Sequence, residues 1–98
     1  MEKAILIEDT IEFLAGFNGL QNVSNLVIEE CSELIKELTK LNRKIGSPEN
    51  IKEEICDVII TIKQLIHCLD IPDADLEKEM RKKIDRTLIR IGGVNDRN

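Results

Sequence analysis

The sequence predicts an all-α fold: an antiparallel helical bundle of three long helices and a short N-terminal helix. Apolar residues recur at steps of three and four along the chain, which is the period of a helix with one buried face. The composition is aliphatic and charged, with 42% hydrophobic and 34% charged residues, two Phe and no Trp or Tyr. The predicted helices are joined by short breaks. A length of 98 residues suits one domain, so residues 1–98 are assigned to a single helical domain.

The first two helices are predicted in the N-terminal half of the chain. Residues 4–17 form the short first helix, with glycines at Gly16 and Gly19 loosening its end. The second helix covers residues 21–44, where apolar side chains return at helical intervals, and it ends at Gly46.

The third helix is predicted to begin at Ser47-Pro48. Serine can cap a helix, and proline suits the first helical position because it has no backbone N–H to leave unsatisfied. The apolar residues that follow alternate at steps of three and four, which is typical of a seam that packs against another helix. The seam consists of Ile51, Ile55, Val58, Ile62, Leu65 and Leu69.

The last helix should follow the break at Ile71-Pro72. Asp73 or Asp75 is the expected N-cap. Acidic residues come early in this helix and basic residues come mostly late, an order that suits the helix dipole. Gly92-Gly93 should end it, and residues 93–98 are expected to form a frayed tail.

Oligomerisation is expected from the shape of such a chain. A thin set of long helices has much surface and little interior. We therefore expect the bundle to be completed by further copies, as a homodimer or a homotetramer.

The charge and the cysteines restrict the partners and the compartment. A net charge of −5 argues against binding to nucleic acid polymers or to anionic membranes, although a cation could still bring a phosphorylated substrate to the chain. Three cysteines without close pairing favour a reducing compartment. The N-terminus lacks the apolar core of a signal peptide, and no apolar run reaches the roughly 18 residues of a membrane span. A cytoplasmic protein with no membrane partner is therefore expected.

Two predicted helices each carry a pair of acids at a spacing of three. Glu30 falls inside the apolar stripe of the second helix, and Glu33 flanks the same face. On the third helix, Glu54 borders the apolar seam and Asp57 lies beyond it on the same flank. If these helices are antiparallel, the four carboxylates converge, and converging carboxylates repel one another unless a cation lies among them.

The oxygen donors favour Mg²⁺, because hard divalent cations take oxygen ligands. A di-iron site would need a Glu-x-x-His motif on each of two helices, and the only histidine, His67, has no Glu three residues before it. The chain has 19 acidic residues, so residue spacing by itself leaves open that these acids are solvated surface groups.

The acid pairs belong to a longer pattern. The segments EECSE, residues 29–33, and EEICD, residues 53–57, resemble the EExxE…ExxD signature of the all-α nucleoside triphosphate pyrophosphohydrolases, the MazG-like group. The gap between the segments is similar to that of the family, and the likeness extends over about residues 20–91.

This resemblance implies a Mg²⁺-dependent hydrolase, with Mn²⁺ as a possible substitute, that splits an NTP or dNTP into the monophosphate and pyrophosphate. It implies five catalytic acids, of which the last four would be metal ligands and the first a supporting acid: Glu29, Glu30, Glu33, Glu54 and Asp57. It also implies that basic residues bind the substrate phosphates, namely Lys83 and Arg86, with Lys36 and Lys40 as weaker candidates.

Two alternatives stay open at this point. One is a related enzyme of the same superfamily, acting on phosphoribosyl-ATP or as a dUTP or dCTP pyrophosphatase. The other is a noncatalytic helical module that binds a partner protein, since Ile28, Ile35 and Ile60 lie off the main apolar seams and offer surface for contacts.

Overall fold

The computed structural model describes residues 2–92, with side chains from residue 7 onwards. It contains three helices, α1 (Glu2–Asn42), α2 (Pro48–Cys68) and α3 (Asp73–Arg90), and no strand among the described residues. The predicted all-α fold class is confirmed. The predicted frayed tail, residues 93–98, lies outside the described residues.

The first two predicted helices are two arms of α1, separated at Gly19. Gly19 has φ 77° and ψ 163°, which interrupts the helix, whereas Gly16 stays helical. We call residues 2–18 the first arm and residues 20–42 the second arm. The interruption therefore falls in the region that the sequence predicts, at the second of its two glycines.

Both arms pack against α2. In the first arm, Glu8 pairs with Lys63 (Oε1–Nζ 2.7 Å) and the Ala15 carbonyl accepts from the Cys68 thiol at 3.5 Å. At the end of this arm, the Asn18 side-chain amide donates a hydrogen bond to Oε1 of Gln64 at 3.0 Å. The second arm runs antiparallel to α2, because Asn18 just before its start contacts Gln64, Glu30 lies opposite Glu54 and Asp57, and a short turn at residues 43–47 then joins the two helices.

We expect Gly19→Ala to lower the free energy of unfolding by about 1–3 kcal/mol. A Cβ at this position meets no atom within 4 Å, so the cost comes from the backbone conformation, which is essentially reserved for glycine. The matched control is Gly16→Ala, whose Cβ also meets open space but whose backbone is helical. This control should gain about 0.5–1 kcal/mol. Urea unfolding followed by circular dichroism measures both changes, and equal effects would contradict the assigned role of Gly19.

A tight turn joins α1 to α2 and follows the sequence prediction. Ser47 is the N-cap of α2, its hydroxyl accepting a hydrogen bond from the Asn50 backbone N–H at 3.3 Å, and Pro48 is the first helical residue. Gly46 approaches the backbone of Leu41 so closely that a Cβ would lie 2.7 Å from the Leu41 nitrogen. Glycine is therefore required where the chain reverses.

The start of α3 differs from the prediction. The N-cap is Pro72, in extended conformation, and no side chain caps the helix. The prediction that Asp73 or Asp75 would be the cap was wrong, because the helix begins directly after the proline and both aspartates fall in its first turn. In the first turn, their negative charges still interact favourably with the positive end of the helix dipole. The C-terminus agrees with the prediction, since α3 ends at Arg90 and Gly92 follows with φ 81°.

The core within one chain is small. Among the described residues, the buried apolar side chains are Ile11, Ala15 and Val23, and Val23 is fully buried. The α1 and α2 helices pack along each other, whereas α3 packs against neither along its length. The predicted bundle is therefore represented within one chain only by the α1–α2 pair. No helix in the described part of the chain is both long and apolar enough to cross a membrane.

Candidate functional site

Three of the four predicted ligands converge between α1 and α2. Glu30, Glu54 and Asp57 each offer a carboxylate oxygen, and these three oxygens lie within 4.8 Å of one another. We call these residues the carboxylate trio. The antiparallel packing of the second arm of α1 on α2 brings Glu30 to Glu54 and Asp57, which share a flank of α2 because they are three residues apart.

The trio carries negative charge without a neutralising partner. Glu30 and Glu54 are half-buried, whereas Asp57 is exposed. Oε2 of Glu54 is fully buried and has no hydrogen-bond partner among the described residues. The ion pairs found among residues 7–92 all involve other acids: Lys40–Glu37, Lys52–Glu49, Lys63–Glu8, Arg81–Glu77 and Lys82–Glu79. A buried, unpaired carboxylate oxygen is costly, so it calls for a ligand that the chain alone does not supply.

The electrostatics of the trio agree with this geometry. Desolvation raises the pKa of Glu30 above its ordinary value, and the charges of Asp57, Glu54, Glu29 and Glu33 raise it further. Desolvation likewise raises the pKa of Glu54, followed by the charges of Asp57, Glu33, Glu37 and Glu53. Both shifts disfavour the ionised form in the folded chain, so the trio destabilises the fold at neutral pH unless a cation is bound.

We expect Glu54→Gln to raise the melting temperature of the cation-free protein at pH 7–8. The pKa of Glu54 is higher in the folded chain than its ordinary value of 4.5. The folded state therefore binds more protons than the unfolded state between these two pKa values, and stability falls as pH rises through that window. Glutamine removes this cost, so the advantage of the variant should shrink as pH falls through the raised pKa and vanish below pH 4.5.

Thermal melts in EDTA over this pH range measure the difference between the two proteins. The matched control is Glu53→Gln, which removes the same charge from an exposed neighbour outside the trio. If both variants are stabilised equally, the effect comes from net charge and the assigned burial of Glu54 is contradicted.

The remaining predicted acids lie around the trio. Glu33 is exposed and outside the group of converging oxygens, although its charge raises the pKa of both Glu30 and Glu54. Glu29 is exposed and its charge raises the pKa of Glu30. Both are therefore neighbours of the trio, within range of a ligand bound there.

The predicted phosphate-binding residues are not joined to the trio within one chain. Lys36 is exposed, and Lys40 pairs with Glu37 at 3.3 Å. Lys83 and Arg86 are exposed on α3, which does not pack along the length of α1 or α2. No ion pair among the described side chains links any of the four to Glu30, Glu54 or Asp57.

Sequence reasoning missed Glu37. This residue is only 8% exposed, its Oε1 is buried without a hydrogen-bond partner among the described residues, and its charge raises the pKa of Glu54. A signal existed in the sequence, because seven residues make two helical turns and place Glu37 on the same face as Glu30. Its burial depends on how α2 covers that face, which spacing along α1 does not reveal.

The donors of the trio suit a hard divalent cation. All three are carboxylates, and the buried Oε2 of Glu54 lacks a protein donor. Oxygen-only sets are typical of Mg²⁺, Ca²⁺ and Mn²⁺, whereas softer ions prefer histidine or cysteine. Exposed acids often cluster without any ion, so the buried and unpartnered oxygen is the stronger argument for a cation.

Comparison of the chain with protein-family models, with curated proteins and with solved structures finds no match.

Proposed function

We propose that this chain is a Mg²⁺-dependent nucleoside triphosphate pyrophosphohydrolase, which hydrolyses an NTP or dNTP to the monophosphate and pyrophosphate. The observation that carries the proposal is the convergence of Glu30, Glu54 and Asp57 around a buried carboxylate oxygen without a partner. The resemblance of residues 29–33 and 53–57 to the EExxE…ExxD signature supports the same reaction.

The trio would hold the cation, with Glu33 beside it as a further ligand. Bound Mg²⁺ would neutralise the triphosphate, polarise the phosphorus and lower the pKa of a water molecule. Mn²⁺ would serve as a substitute because it accepts the same oxygen donors.

The acids around the trio would act on water. Glu29 is exposed beside Glu30, where its carboxylate would orient a water molecule for in-line attack on the α-phosphorus and accept its proton. The new bond joins the water oxygen to the α-phosphorus, and the bond from that phosphorus to the bridging oxygen breaks. Pyrophosphate leaves with the bridging oxygen.

Basic residues would stabilise the charge on the departing pyrophosphate. Lys83 and Arg86 make no ion pair among the described residues, so both are available for phosphate oxygens. Lys36 is also exposed, whereas Lys40 is held by Glu37 and would contribute a more fixed charge.

A homodimer or homotetramer would complete the bundle. Large apolar side chains are exposed on all three helices, whereas the buried apolar side chains among the described residues are Ile11, Ala15 and Val23. Burial of this surface between copies supplies the interior that one chain lacks.

The test is pyrophosphate release from a panel of ribonucleoside and deoxyribonucleoside triphosphates, with and without Mg²⁺. We expect release with at least one nucleotide, and none in EDTA. The panel should include phosphoribosyl-ATP, dUTP and dCTP, because a strong preference for one of them identifies the related enzymes. No release with any of these compounds, from protein whose helical circular dichroism is intact, contradicts the proposal and favours a noncatalytic binding module.

A further inference from the structure

Glu37 is a buried acid to which neither the trio nor the acid signature of the sequence assigns a role. It is 8% exposed, and its Oε1 atom is buried without a hydrogen-bond partner among the described residues. Its other oxygen, Oε2, lies 3.3 Å from the Lys40 ammonium. The EExxE segment ends at Glu33, so the resemblance gives Glu37 no function. Burial of a half-satisfied carboxylate lowers the stability of the fold, which points to a ligand for Oε1.

The side chain of Glu37 lies on the face of α1 that carries the trio. Seven residues separate Glu37 from Glu30, which places the two about 20° apart around the helix. The charge of Glu37 raises the pKa of Glu54, so the two carboxylates lie within electrostatic range across the α1–α2 contact. Oε2 of Glu54 is the other buried side-chain oxygen without a partner in the described part of the chain. The two unpartnered oxygens therefore belong to neighbouring acids on different helices.

A cation held by the trio does not supply the missing ligand of Glu37. The converging oxygens come from Glu30, Glu54 and Asp57, and Glu37 is not part of that group. Seven residues also span about 10 Å along the axis of α1, so Glu37 lies well beyond Glu30 in the direction of the turn that leads to α2. Oε1 of Glu37 therefore needs a ligand of its own.

The charges around Glu37 favour a cation as this ligand. Glu33 lies about 40° from Glu37 around α1, and the charges of both raise the pKa of Glu54. Lys40 is the base that pairs with this group of acids among the described residues, so one ammonium stands against three carboxylates. Ionised carboxylates accept hydrogen bonds and bind metal ions but donate nothing to one another. Carboxylate oxygens on two facing helices suit a hard divalent ion.

We propose that Glu37 and Glu54 hold a second hard divalent cation, Mg²⁺ or Mn²⁺, beside the ion at the trio. Glu54 contributes one oxygen to each ion, and water molecules fill the remaining positions, as is usual for Mg²⁺. The second ion binds more weakly than the first, because the ammonium of Lys40 lies against the same carboxylate and repels it. Both ions bind the free chain, so the second ion does not depend on the hydrolysis of a nucleotide.

The test counts the Mn²⁺ ions bound to the full chain. Electron paramagnetic resonance detects free Mn²⁺, so a titration gives the bound ions by difference. Wild-type protein should bind two ions per chain, one tightly and one more weakly. Glu37→Gln should keep the tight ion and lose the weak one, because glutamine keeps the shape of the side chain but not its charge. Asp57→Asn should show the opposite loss, since Asp57 belongs to the trio alone.

The matched control is Glu53→Gln. Glu53 is exposed on α2, and its charge raises the pKa of Glu54, as the charge of Glu37 does. Both variants therefore remove a negative charge near Glu54, but the control leaves the buried oxygen of Glu37 in place. Glu53→Gln should keep both ions. Equal weakening of the second ion in the two variants would mean that net charge alone holds it, which overturns the assigned site.

The second site is also overturned if wild-type protein binds a single Mn²⁺, since a buried water molecule would then satisfy Glu37. A Glu37→Gln variant that still binds two ions has the same consequence. Circular dichroism shows whether this variant keeps its helices.

A second variant tests the site if Glu37→Gln does not fold. Lys40→Gln changes a side chain that is 41% exposed and leaves every proposed donor in place. It should bind the weak ion several-fold more tightly, because the competing ammonium is gone. Unchanged or lower affinity for this ion contradicts its placement at Glu37.

Ion counting and pyrophosphate release are independent measurements. Two bound ions in a protein that hydrolyses no nucleotide would support the second site and contradict the proposed function. Pyrophosphate release by a protein that binds one ion would have the opposite meaning. A protein that binds no Mn²⁺ would overturn the trio as a cation site together with the second site.

Discussion

Asp57→Asn is expected to lower Mg²⁺-dependent pyrophosphate release by at least about 100-fold, since even residues that only orient metal ligands contribute about 10–100-fold. Asp57 offers one of the three converging oxygens, and asparagine keeps the shape of the side chain but removes its charge. The side chain is exposed, so the fold should tolerate the change. The rate at saturating Mg²⁺ with the best nucleotide of the panel is the measurement. Glu54→Gln should behave in the same way.

The matched control for these variants is Glu53→Gln. Glu53 is an exposed acid on the same helix, directly beside Glu54 but outside the trio, so its loss tests the effect of net charge alone. It should retain a rate close to that of wild type. Near-native turnover in purified Asp57→Asn would remove the trio from the mechanism, whatever the activity of the control.

Addition of Mg²⁺ to the cation-free protein is expected to raise the free energy of unfolding by about 2.7 kcal/mol when its concentration is a hundredfold above the dissociation constant. The gain arises because the folded chain brings the trio together, whereas the unfolded chain does not. A bound cation also removes the repulsion and the desolvation cost that raise the pKa values of Glu30 and Glu54.

Urea unfolding with increasing MgCl₂ measures this gain, and NaCl of equal ionic strength separates binding from general screening of the net charge. Asp57→Asn should lose most of the gain because it lacks a ligand, whereas Glu53→Gln should keep it. Equal stabilisation by NaCl and MgCl₂ would show that no specific site exists. This result would count against the trio as a cation site even if the protein proved to be an enzyme.

Helix positions were largely predictable because their signals are local. At the start of α2, the Ser47 side chain accepts a hydrogen bond from a backbone N–H of the first turn, and Pro48 has no backbone N–H to satisfy. Gly92 follows α3 with a positive φ, which suits glycine. The interruption of α1 at Gly19 is likewise a property of one residue type. The N-cap of α3 was mispredicted because either aspartate could serve by residue type, and the backbone conformation at Pro72 decided between the possible starts.

The candidate site was predictable only in part. Periodicity placed Glu30, Glu54 and Asp57 on flanks that face each other once the helices are antiparallel, and the structure brings these three together. Spacing did not distinguish Glu33, which remains exposed outside the trio, from Glu37, which is buried beside Glu54. Glu33 and Glu37 lie only about 40° apart around α1, so a small rotation of α1 about its axis would bury Glu33 and expose Glu37. Packing across the α1–α2 contact sets that rotation.

Residue types and their spacing were thus enough to predict an all-α chain, an interruption near Gly16 and Gly19, and three of the acids that lie together. They could not show which apolar helix faces would be buried by a neighbouring helix, because burial depends on the direction that each helix takes after the turn before it. In this chain α1 and α2 cover each other only partly, and α3 leaves Met80, Ile84 and Ile91 exposed. Lys83, Arg86 and Arg90 form no ion pair among the described residues. The distance between the acids and the bases is therefore a property of the assembled fold, since it depends on contacts between residues far apart in the chain or in different chains.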